Sequence, residues 1–323
     1  MPDLFAPRRT LKPYEYPGLV AFKDAMRHSY WVHDEFNFTS DIQDFRVRCT
    51  PAEQSIIERT MLAIAQIEVS VKMFWADIYK HIPKPEVAAV GVTYAESEAR
   101  HADAYSHLLE QMGLNKAFEG LSDVPAIADR ISYLSKFLGR KESPQEYIKT
   151  LLLFSVFIEH VSLFSQFLIM CSFDKHEKRF SGIANAVEAT SKEEHLHGLF
   201  GIRLVEICKE EHPEWFTEAF YDEIKDACRQ AYAAEEKVLD WILEEGELEF
   251  LPRPAIENFL KDKFNSSLEA VGTDPIFTTD DTLTKTTAWF QDDILTTKGN
   301  DFFAKRGTTY TKHAQPVSAD DLF

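Results

Sequence analysis

The chain has 323 residues, room for about two domains of 150 residues or one large one, and enough to bury a sizeable core. Hydrophobic residues make up 45% and charged residues 27%, with modest Gly and Pro, which excludes disordered, collagen-like and low-complexity chains. A net charge of −18 repels a phosphate backbone, so no nucleic-acid partner is expected.

In chain order, residues 1–40 read as an N-terminal arm rich in Pro, Arg and aromatics with weak periodicity. Thr50-Pro51-Ala52-Glu53 is a capping box with Pro at the first helical position, and predicts a helix running to about His81, before Pro83 and Pro85. A second long helix is expected over 85–113. A shorter one fits 124–138. Ser143-Pro144-Gln145-Glu146 repeats the capping grammar and opens a helix to about Phe173. Further helices are expected over 180–211, 213–245 and 254–271. No strand-like alternation with hairpin turns intervenes. Several of these helices exceed the ordinary globular length of about 11–12 residues, which points to a large helical bundle with a body at 41–290. The segment 291–323 reads as a loose polar tail ending in the apolar pair Leu322-Phe323.

The four cysteines, Cys49, Cys171, Cys208 and Cys228, form no C-x-x-C pair and read as free thiols of a reducing cytosol. The N-terminus carries no secretory pattern, and the apolar stretch 151–158 is too short to span a bilayer. A cytoplasmic protein with no membrane partner is expected.

The informative feature is a doubled Glu-x-x-His: Glu98-Ala99-Arg100-His101 and Glu194-His195-Leu196-His197. Residues at i and i+3 share a helix face, about 60° apart and 4.5 Å along the axis, so each pair can chelate a metal from one helix. One such pair occurs readily as a solvated pair in any charged helix. Two of them, a hundred residues apart on long helices, are a stronger signal. Glu68 and Glu159 sit inside the most apolar helices, where an unpaired carboxylate costs several kcal/mol. Each alone reads equally as a solvated face-edge residue. The order Glu, Glu-x-x-His, Glu, Glu-x-x-His on four successive long helices instead matches a four-helix dimetal site. Four carboxylates balance two divalent ions and leave the buried site neutral.

This pattern resembles the ferritin-like carboxylate dimetal proteins, and most of all the beta, radical-generating subunit of class I ribonucleotide reductase. The resemblance runs from about Tyr30 to the C-terminus. It implies an all-α, ferritin-like helical bundle with a four-helix dimetal core and extra helices. It implies metal ligands Glu68, Glu98, His101, Glu159, Glu194 and His197. Tyr105, four residues after His101, stands where the family places its radical-forming tyrosine; without the resemblance it reads equally as a core tyrosine. Trp31 of Tyr30-Trp31 matches the family's electron-transfer tryptophan. Glu193 matches a position usually filled by Asp, which bridges that tryptophan to a metal-bound histidine. Asp301-Phe302-Phe303 through Tyr310 resembles the motif that leads into the tail, with Tyr310 as its redox tyrosine. The family's small subunit forms a homodimer. It stores an oxidising equivalent and passes it to a cysteine of the large subunit, which reduces ribonucleotides and on which the tail docks.

Two features bear on the subclass. Glu68 replaces the Asp that many members use as first ligand, and Lys72, one turn on, is placed to bring an ammonium near the site or to snorkel at the helix edge. Glu68 with Tyr105 retained is similar to the dimanganese group, class Id. Two manganese ions are therefore expected, with two iron ions and a tyrosyl radical as the close alternative. A stand-alone R2-like oxidase would keep all six ligands, and a ferritin-like storage protein some of them, but neither needs an aromatic relay or a docking tail.

Overall fold

The computed structural model describes residues 3–138 and 143–295, apart from the side chains of Ser70, Lys72 and residues 136–138. These residues form the expected all-α bundle, with one isolated bridge between Leu248 and Leu251 and no strand among them. The α-helices are α1 (Val20–His28), α2 (Thr39–Val47), α3 (Pro51–His81), α4 (Pro85–Met112), α5 (Asn115–Glu119), α6 (Pro125–Leu138), α7 (Pro144–Leu153), α8 (Phe164–Glu177), α9 (Ser181–Glu211), α10 (Glu218–Ile242), α11 (Arg253–Ala270) and α12 (Asp281–Trp289).

Local chemistry sets the ends of the long helices. The Glu53 amide donates to Thr50 Oγ1 at 3.2 Å, and the Thr50 amide donates to Glu53 Oε2 at 2.8 Å, so α3 opens on the capping box read from its sequence. The Ser143 hydroxyl accepts from the Glu146 amide at 3.2 Å and opens α7. Gly113, at φ +78°, closes α4 in the left-handed conformation that glycine adopts without strain. The helix expected over 213–245 is divided: a 3-10 turn at Pro213–Trp215 precedes α10, which restarts where Thr217 accepts from the Phe220 amide. α1, α2 and α12 were not read from the sequence. Each has nine residues, too few for a periodic pattern to stand out.

α3 and α4 pair along their length as an antiparallel hairpin, and α9 packs against α8 and α4. Between α7 and α8 the chain does not stay α-helical: Phe154–Ser162 winds as a π-helix. The wider turn removes backbone groups from the i→i−4 ladder, and side chains meet them. Ser162 Oγ donates to the Phe157 carbonyl, five residues back, at 2.9 Å, and the buried Arg130 donates to the Ser162 carbonyl at 2.9 Å. α9 lies close against this segment because Gly198 and Gly201 face it. A Cβ at residue 201 would fall 1.9 Å from Ser155 Oγ, and one at residue 198 would fall 3.0 Å from the His160 Cβ.

The rod Pro144–Glu177 is apolar over a longer run than residues 151–158, and by length and composition it could cross a membrane. Its most apolar window is wholly buried among the other helices, which is where a core helix sits. The N-terminal segment is tied to the bundle at two places. Glu211 accepts from the Leu4 amide (2.7 Å) and the Tyr16 hydroxyl (2.6 Å), and Glu86 accepts from Arg8 and from the Glu15 and Tyr16 amides.

Candidate metal centre

The four-helix core brings the six proposed ligands together. Glu68 comes from α3, Glu98 and His101 from α4, Glu159 from the π segment, and Glu194 and His197 from α9; all are buried. Two groups converge, each within 4.8 Å: Glu68, Glu98, His101 and Glu194, and Glu98, Glu159, Glu194 and His197. Glu98 and Glu194 belong to both. Each group therefore has one carboxylate of its own, one histidine and two shared carboxylates.

Both imidazoles turn Nδ1 inward. His101 Nδ1 lies 3.0 Å from Glu194 Oε1 and 3.6 Å from Glu98 Oε2. His197 Nδ1 lies 3.0 Å from Glu98 Oε1, 3.3 Å from Glu194 Oε2 and 3.6 Å from Glu159 Oε2. The outer nitrogens settle the tautomers. His101 Nε2 is 2.7 Å from Glu193 Oε2, and Glu193 takes both branches of the Arg100 guanidinium at 3.1 and 3.3 Å. Both oxygens of that carboxylate accept from the fork and offer His101 only an acceptor, so the proton sits on His101 Nε2. His197 Nε2 is 3.1 Å from Ser97 Oγ, whose one proton is already donated to the Tyr94 carbonyl at 2.8 Å. Ser97 can only accept, so His197 too carries its proton on Nε2. Both Nδ1 lone pairs are left facing carboxylate oxygens.

That interior is electrostatically incomplete without cations. Both oxygens of Glu68 and of Glu98, one each of Glu159 and Glu194, and His101 Nδ1 have no hydrogen-bond partner although they are buried. Burial, then the charges of its neighbours, pushes Glu159 well above the usual carboxylate range, and burial does the same to Glu68. Burial opposes charge on both histidines. The hydrogen bond to Glu193 at His101, and the Glu194 charge at His197, overcome it and raise both well above a free imidazole, so that without cations the inward Nδ1 of each ring draws a second proton to the position a bound cation would otherwise take. The donor set, oxygen-rich with two imidazoles and a formal charge of −4, fits two divalent first-row ions.

Tyr105 lies on α4, buried, with its hydroxyl near Glu68 and Thr190; burial, then the Glu68 charge, raises it far above a free phenol. Trp31 is buried and stacks on the His101 ring, 5.7 Å between centroids and 12° between planes. Glu193 does not join the two residues as the sequence led one to expect. It bonds His101 and Arg100, while Trp31 Nε1 has no hydrogen-bond partner. Arg100 fills the place between them: it donates to the Trp31 carbonyl at 3.2 Å and lies 5.2 Å from the indole centroid. The side chain of Lys72, and Tyr310 with the rest of the tail, fall outside the described residues.

Sequence reading missed four residues here. Trp75 donates Nε1–H to Glu159 Oε1 at 3.0 Å. It is seven residues after Glu68, two turns along one face, a spacing that could have found it. Tyr94, four residues before Glu98, packs 4.2 Å from the His197 ring and bonds the Leu196 carbonyl. Ser97 and Arg100 stand next to Glu98 and His101 in sequence, off the ligand face by spacing, and only the packing of α9 shows that they reach His197 and Glu193.

Comparison with known proteins follows the same line. The family model described as ribonucleotide reductase, small chain, matches residues 8–285. A protein of Invertebrate iridescent virus 3 named "Probable ribonucleoside-diphosphate reductase small subunit 048L" is 25% identical, over 96% of this chain and 86% of its own. Among solved structures, the ribonucleotide reductase R2 subunit of Clostridium botulinum superposes with a TM-score of 0.75 at 18% identity, over 83% of this chain and 86% of its own. The dimanganese(II)-NrdF of Streptococcus sanguinis gives 0.69 at 15% identity, over 88% and 99%. At those identities the two structures speak for the fold.

Proposed function

The chain belongs to the ribonucleotide reductase small-chain family, and from that premise we propose that it is a class Id beta subunit whose six buried ligands hold two manganese ions. As a small subunit of ribonucleoside-diphosphate reductase it works with a large subunit, which carries the substrate. The observation that carries the metal reading is the sharing of Glu98 and Glu194 between two ligand groups, each completed by one histidine and one further carboxylate. Glu68 as first ligand favours manganese over the alternative of two iron ions. When bound, the metal pair supplies the oxidising equivalent that the large subunit needs.

The protein's own residues prepare for that chemistry. Glu193 and Ser97 hold the two imidazoles with Nδ1 inward. Leu163, Phe167 and Phe200 are fully buried in the same core and help to keep water out. Trp31, stacked on His101, is the nearest step of the relay outward, with Tyr310 further along it; Tyr105 stands beside Glu68. We assign residues 1–40 as an arm, 41–290 as the dimetal body and 291–323 as the tail that docks on the large subunit. A homodimer is supported by Val69, Met73 and Val92, apolar side chains more than half exposed on α3 and α4. Low-temperature electron paramagnetic resonance with elemental analysis, on protein from manganese-supplied and iron-supplied cells, tests the assignment. Two manganese ions per chain with activity supports it; activity only with iron overturns it.

A further inference from the structure

We propose that Arg100, acting through Glu193, makes the His101 subsite the tighter of the two, so that the ions load in order. The inference rests on the dimetal reading above and asks what distinguishes two subsites whose inner donors match.

The difference lies behind the rings. His101 Nε2–H donates at 2.7 Å to a carboxylate paired with a guanidinium, whereas His197 Nε2–H donates at 3.1 Å to a hydroxyl. A negative charge behind an imidazole strengthens its inward nitrogen as a ligand, and a charge-assisted bond is roughly twice as strong as a neutral one. Arg100 keeps that arrangement in place. Its guanidinium grips both Glu193 oxygens, is held by Glu96 (3.0 Å) and the Trp31 carbonyl, and is flanked by the rings of Tyr30 (4.7 Å) and Trp31. So held, Glu193 faces His101.

A second, independent difference points the same way. Glu68, the carboxylate private to the His101 subsite, has both oxygens free of hydrogen bonds. Glu159, private to the His197 subsite, has Oε1 committed to Trp75 Nε1–H at 3.0 Å. That bond draws charge from the carboxylate and leaves one oxygen for a metal. The stronger imidazole and the unencumbered carboxylate are on one side; the weaker imidazole and the engaged carboxylate are on the other.

The test is stepwise addition of Mn2+ to the full-length, chelator-stripped protein, with free ion counted by electron paramagnetic resonance and heats by calorimetry. Unaltered protein is expected to show one tight and one weaker class, about tenfold or more apart. Glu193→Gln, which keeps the side-chain shape, and Arg100→Gln should each weaken the tight class by roughly 10–100-fold and leave the other unmoved. Ser97→Ala should weaken only the second class. Arg100→Lys, with the charge but not the fork, should recover part of the loss. Two equal classes in the unaltered protein, or equal weakening of both by Glu193→Gln, would overturn the inference. No binding at all would instead overturn the dimetal reading.

Discussion

Glu98 and Glu194 each reach both histidines. Glu98 sets one oxygen 3.0 Å from His197 Nδ1 and the other 3.6 Å from His101 Nδ1, and Glu194 sets its two at 3.3 and 3.0 Å. Two helices thus contribute the pair of carboxylates that belongs to both metal groups, and the private carboxylates Glu68 and Glu159 complete one group each.

This division predicts unequal losses of metal. Glu194→Ala removes a shared donor and should lower bound metal well below two ions per chain and abolish activity. Glu159→Ala removes a donor from one group and should leave about one ion per chain. Elemental analysis of the purified variants decides it; two ions retained in Glu194→Ala would remove that residue from the ligand set.

Trp75 holds Glu159 by one hydrogen bond in a fully buried setting. Trp75→Phe leaves that oxygen unpaired and removes ring volume. The metal-stripped protein should lose about 1–3 kcal/mol from the orphaned acceptor, with a further contribution from the cavity. Urea unfolding against the unaltered protein measures it, and an unchanged midpoint would show that the bond contributes nothing.

The close approach of α9 to the π segment yields a test by compensation. In Gly201→Ala the new methyl would sit 1.9 Å from Ser155 Oγ and 2.2 Å from the Ser155 Cβ, so one element must shift. Destabilisation of about 1–3 kcal/mol is expected, with weaker metal retention because Glu159 rides on the displaced segment. Adding Ser155→Gly removes both clashing atoms and should restore most of the metal content. A double variant no better than Gly201→Ala would place the strain elsewhere.

An apolar stripe on α3 and α4 predicts the oligomeric state. The protein should scatter light as a dimer, and Val92→Glu should shift it towards the 37.1 kDa monomer at micromolar concentration. A monomer from the unaltered chain would argue against the dimer.

Tyr105→Phe separates the two ways of storing the oxidant. The phenyl ring keeps the packing of a buried side chain and removes one hydroxyl beside Glu68 and Thr190. With the equivalent on the metals, the manganese-loaded variant should keep a large share of ribonucleotide reduction with its large subunit. An inactive variant with normal metal loading and normal dimerisation would assign the oxidant to the tyrosine.

Local chemistry was enough to read much of this molecule from its sequence. Capping boxes, prolines and Gly113 act within a few residues, so the ends of α3, α4 and α9 were legible to within about a residue. The i, i+3 spacing put Glu and His on one face of α4 and of α9, and buried carboxylates in apolar helices marked Glu68 and Glu159. Tertiary structure alone decided the rest. The π segment exists where Arg130 from α6 and the glycine face of α9 accommodate its wider turn. The partners that orient the site, Glu193 to His101, Ser97 to His197 and Trp75 to Glu159, span 84 to 100 residues of chain. That Glu193 bonds the guanidinium of Arg100 and not the indole of Trp31 follows from the packing of α9 against α4. Such contacts are set by which helices pack, and packing is a property of the whole core rather than of any one stretch of sequence.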